Sequence, residues 1–83
     1  MKAEFNLEHQ YQLYLEKVNL KESEMHYAQR IETRRAFMGA CGQIIVLLRD
    51  DLTKLDEREA LATLQNMTNQ VGDFFVREYS KRS

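Results

Sequence analysis

The chain has 83 residues, with twelve Lys and Arg against thirteen Asp and Glu, and 43% hydrophobic side chains. That balance suits one folded core and excludes the apolar-poor, one-signed composition of disorder; it also argues against a globally basic nucleic-acid binder. Proline is absent and glycine occurs only three times, which favours long helices over turn-rich sheet.

Asn6 has the side chain of a helix N-cap, and Phe5 before it can fold back on the first turns as a hydrophobic staple. Leu7, Tyr11, Tyr14 and Val18 then recur at steps of four, three and four, with Leu15 widening the stripe. The spacing predicts a first helix over about 7–20. Residues 21–26 are polar and aperiodic and predict a connection, with Ser23 the candidate cap of the second helix. From Tyr27 through Ile31, Arg34, Met38, Cys41, Ile45, Leu48, Leu52 and Leu55 the steps alternate four and three without a break. That seam predicts a second helix over about 26–51, its end lying between Arg49 and Lys54. Phe37, Ile44 and Leu47 flank the seam, so its apolar surface is too wide for one neighbouring helix. Residues 36–48 have Gln43 as their single polar side chain, but the run is too short to span a bilayer and reads as a core helix; no membrane association is expected. Asp56 and Glu59 have capping-box spacing ahead of Ala60, Leu61, Leu64, Met67, Val71, Phe74 and Phe75, which predicts a third helix over about 57–79. Residues 80–83 should fray, although their basic side chains suit a helix carboxyl end.

The expected fold is all-α, a single helical domain over 1–83: a long antiparallel hairpin of the second and third helices, with the shorter first helix packed across it. The width of the central apolar face leaves two assemblies open, a three-helix monomer and a homodimer of paired hairpins. Cys41 alone cannot close an internal disulfide, and no apolar run follows Lys2, so a reducing, cytoplasmic setting is expected.

Two local features stand out. Gly39, Ala40, Cys41 and Gly42 put small residues in mid-helix, where each glycine costs about 1 kcal/mol relative to alanine. Ala36, Gly39 and Gln43 share one face there and are candidates for a close helix contact, within the chain or between subunits. Arg30, Arg34 and Arg35 make the second feature: residues 27–49 hold four Arg and one Glu, while the segments on either side are acidic. Arginine forks suit phosphates and carboxylates, so these three are candidates for anion or partner binding, with neutralisation by Glu22, Glu24 or an acid of the third helix as the plainer alternative. Nucleic acid is the weaker of the possible partners, because no recognition-helix context or aromatic stacking platform accompanies the cluster.

Catalytic templates fail one by one. His9 and His26 are the only histidines and neither completes Glu-x-x-His, so no metal site is expected. No glycine-rich phosphate loop, Gly-x-Ser-x-Gly elbow or calcium loop occurs, and Asp56 with Glu59 is explained by capping. No catalytic residue and no cofactor is therefore expected. Cys41 lacks a basic neighbour and reads as a small apolar residue. Tyr11, Tyr14 and Tyr27 lie on the apolar stripes, where their hydroxyls should reach water.

Phe5-Asn6-Leu7-Glu8-His9-Gln10-Tyr11, Met25-His26, Arg35-Ala36-Phe37 and Gly42-Gln43 together resemble a group of small proteins of gut-bacterial phages and prophages. The resemblance covers most of the chain and departs from the group's pattern at Tyr27, where a proline would follow Met-His. It implies a short helical accessory protein of a mobile element and assigns no site residues. Residues and resemblance together lead to the expectation of a cytoplasmic helical module for protein–protein interaction, with nucleic-acid binding through the arginines as the alternative.

Overall fold

Local chemistry starts each helix. Asn6 Oδ1 accepts from the His9 amide at 3.1 Å and opens α1, Leu7–Lys17; His26 Nδ1 accepts from the Ala28 amide at 3.3 Å and opens α2, Tyr27–Asp50. Asp56 accepts from the Glu59 amide at 2.8 Å and opens α3, Glu57–Ser80. Each side chain satisfies one of the amides that the first helical turn leaves unpaired. The structure is a computed structural model that describes residues 2–81. Among these the protein is all-α, with three helices, three short 3-10 turns and no strand.

The helices begin where the spacing predicts, and one boundary moves. α1 stops at Lys17 instead of near Leu20. Asn19 adopts the left-handed conformation at φ 57°, the Leu20 amide donates to Leu15 O at 2.9 Å and the Asn19 amide donates to Glu16 O at 3.1 Å. This is a Schellman termination, with asparagine in the position usually given to glycine. Ser23 caps nothing: it lies inside a 3-10 turn, Glu22–Glu24, and His26 takes the role expected of it. α2 ends at Asp50 and is followed by the 3-10 turn Leu52–Lys54, within the range its fading periodicity allows.

The chain divides into two compact units, Met1–Ile44 and Ile45–Ser83. In the first unit α1 packs on the amino-terminal half of α2. Tyr11 and Leu15 are buried, and Phe37 stacks on both Tyr11 and Tyr14 with ring centroids 5.1 and 5.5 Å apart. Ile31, Arg34, Met38 and Cys41 are half-buried, as the seam predicts, while Tyr27 at its start and Ile45 and Leu55 further along it are exposed. In the second unit the last turns of α2 reverse through Leu52 into α3, and Thr63 and Met67 come beside Leu47, Leu48 and Leu55 around an apolar groove of about 170 Å³. Consecutive helices joined by a short connection meet in this way at the corner of a hairpin. No helix is long and apolar enough to cross a membrane among the described residues.

Candidate functional site

The arginine cluster resolves into three separate fates. The Arg34 guanidinium forks onto both oxygens of Glu22, at 3.1 and 3.0 Å, and also reaches Glu8 on α1. Its carbon lies 4.7 Å from the centroid of the Tyr11 ring. Gln12 ties the acids together by donating to Glu8 at 3.0 Å and to Glu22 at 3.3 Å. The two carboxylates raise the pKa of the guanidinium, hydrogen bonding to Glu8 being the largest cause and hydrogen bonding to Glu22 the next. The same bond holds the Glu8 carboxyl below the usual range, with Gln12 adding to it. Arg35 pairs with Glu32 at 3.4 Å on the exposed face. Arg30 has no carboxylate partner among the described residues; its guanidinium carbon lies 6.0 Å from the Tyr27 ring centroid. Glu22 was among the neutralising acids that the sequence offers. Glu8 is a partner that only the packing of α1 on α2 supplies, although its place on the polar flank of the stripe carrying Tyr11 was a usable signal.

Tyr11 departs from expectation. Its hydroxyl does not reach water: the residue is 0% exposed, and the oxygen is buried without a hydrogen-bond partner. Burial, and after it the nearby charge of Glu22, pushes the phenol above its ordinary pKa.

The strip of small residues is open. A β-carbon built on Gly39, or on Gly42, meets nothing within 4 Å, so within the first unit α1 does not use the close approach that the glycines permit. Ala36 and Ala40 instead lie along an open groove with Tyr14, Leu20 and Phe37. Gly39 and Gln43 are exposed beside it. Cys41 is a half-buried free thiol.

The site that periodicity alone presents as ordinary core is on α3. Leu61, Leu64, Val71 and Phe75 follow one another at helical spacing, and all are exposed, as are Phe74 and Val76 on its flanks. Within the unit Met67 and Thr63 turn toward the end of α2, and Leu61, Leu64, Val71 and Phe75 lie beside that contact without being covered by it. Residues 60–72 carry no charged side chain. Polar groups along this stretch bond locally: Gln65 donates to Asn69 at 2.9 Å, Gln70 to Asn66 at 3.3 Å, and the Thr68 hydroxyl to Leu64 O at 2.8 Å. Thr68, on the same face as the apolar residues, has its hydroxyl donor satisfied and loses little on being covered. No group of three or more His, Cys, Asp and Glu side chains suited to a metal ion occurs among the described residues. Compared with known proteins, the chain matches no family model, no curated protein and no solved structure.

Proposed function

We propose that the protein is a small helical interaction module of the cytoplasm, an accessory protein of the kind the phage and prophage resemblance implies, which presents the apolar face of α3 to a protein partner. The carrying observation is that face itself: Leu61, Leu64, Val71 and Phe75 exposed in register along a helix that holds no charge from residue 60 to 72. Contiguous apolar surface of this kind marks contact sites, whereas scattered exposed leucines do not. Nucleic-acid binding through Arg30, Arg34 and Arg35 has less support, because Arg34 and Arg35 are already paired with carboxylates and, among the described residues, Arg30 alone of the three lacks one. Affinity capture from host lysate, with and without nuclease, tests the proposal. The wild-type chain should retain a protein, itself included, in a nuclease-insensitive way, and Val71→Glu should release it. Retention that nuclease abolishes, or that Val71→Glu leaves intact, contradicts it.

A further inference from the structure

We infer that the occupant of the α3 face is a second copy of this chain, lying antiparallel with the two-fold axis crossing α3 near residue 69. The inference rests on the interaction reading above and names its partner. The exposed seam runs 61, 64, 68, 71, 75, at steps of three and four, the spacing by which one helix packs its side chains into another. An antiparallel copy centred between Asn69 and Gln70 sets Leu64 opposite the partner's Phe75 and Thr68 opposite the partner's Val71, and the symmetry repeats both layers. Thr68, at the middle, has its hydroxyl bonded to its own helix and can be covered without stranding a donor.

Charge chooses the direction. Asp56, Glu57, Arg58 and Glu59 give the amino end of α3 a charge of minus two, while Asp73, Arg77, Glu78 and Lys81, the charged residues described at the carboxyl end, sum to zero. Antiparallel pairing keeps the two acidic ends apart, and parallel pairing places minus two on minus two. Such end charges set orientation more than affinity. Leu61, Val71 and Phe74 keep 61, 58 and 53% of their surface. Phe74 lies on a flank, and the seam residues Leu61, Leu64, Val71 and Phe75 leave roughly 300 Å² of apolar area uncovered per copy. Two such faces bury less than the roughly 1,200 Å² at which stable interfaces begin, so the pair should be transient, with a dissociation constant that is roughly micromolar or weaker.

Spin-label distances in a Cys41→Ser background test this directly. Single nitroxides at positions 58 and 69 (R58C and N69C) point away from the seam; far-UV circular dichroism should confirm that each labelled chain stays helical. At 1.5 Å per residue the antiparallel pair puts the two labels at 58 about 35 Å apart along the axis, and the two at 69 about 2 Å apart along it. The expected result is a short intermolecular distance at 69, a long one at 58, and loss of both on adding Val71→Glu. Short distances at both positions would mean a parallel pair and overturn the inference. No intermolecular distance, with a Val71-dependent host protein still captured, overturns the second copy and leaves the interaction module standing; with nothing captured, both fall.

Discussion

Replacing Tyr11 with phenylalanine removes one oxygen from the largest fully buried side chain among the described residues of the first unit. That oxygen has no hydrogen-bond partner, and a buried unsatisfied hydroxyl costs about 1–3 kcal/mol. Phenylalanine keeps the packing on Phe37 at 5.1 Å and still presents a π face to the Arg34 guanidinium 4.7 Å away, so only a fraction of the about 0.5–1 kcal/mol of such a contact is lost. The net expectation for Tyr11→Phe is a gain of up to about 2 kcal/mol, or about 4–8 °C in melting temperature for each kcal/mol. Tyr11→Ala, which empties the same site, should lose about 3–5 kcal/mol. Urea and thermal unfolding followed by far-UV circular dichroism measure both. The phenol also has its pKa raised above the ordinary 10.0, so the folded state disfavours ionisation: stability is intact below that value and falls as pH rises through the folded one, a loss the phenylalanine variant should lack. If Tyr11→Phe instead destabilises by about 1 kcal/mol or more, the hydroxyl is making a bond and the reasoning is refuted.

The Glu8 carboxyl is held below its ordinary 4.5 first by Arg34 and then by Gln12; its contribution is present above 4.5 and lost as pH falls through the depressed value. Carbon-detected NMR titration should show this, with Arg34→Gln moving Glu8 back toward 4.5, and a normal Glu8 titration in the wild type would contradict the pairing. Gly39→Ala should stabilise the chain by about 1 kcal/mol in denaturant unfolding, because helix propensity favours alanine and the new methyl meets nothing within 4 Å; a loss would mean that another molecule uses the strip. Asn6→Ala removes the cap bond to the His9 amide and should cost about 1 kcal/mol in the same experiment, an unchanged midpoint counting against the cap.

Helix class, helix order, the three helix starts and two of the three caps were legible because their causes are local. Asn6 and Asp56 precede apolar repeats, and their caps act within three residues. The end of α1 was missed because Leu20 continues the apolar content of the stripe, while its amide bond back to Leu15 depends on Asn19 turning left-handed. Asparagine after a basic last turn was the available signal. The arginine cluster was visible as composition, but its state depends on Glu8, twenty-six residues before Arg34. Periodicity shows that Leu61, Leu64, Val71 and Phe75 share a face; it does not say whether the chain itself covers that face. The same pattern therefore reads as core in the sequence and is an exposed apolar face in the fold.

Sedimentation equilibrium over a wide concentration range, comparing the wild-type chain with Val71→Glu, tests the self-pairing of α3 most directly. The wild type should move from 9.9 kDa toward twice that mass as concentration rises, while the variant stays at the lower value. A wild-type chain that remains at 9.9 kDa throughout, or a variant that associates equally well, would contradict it.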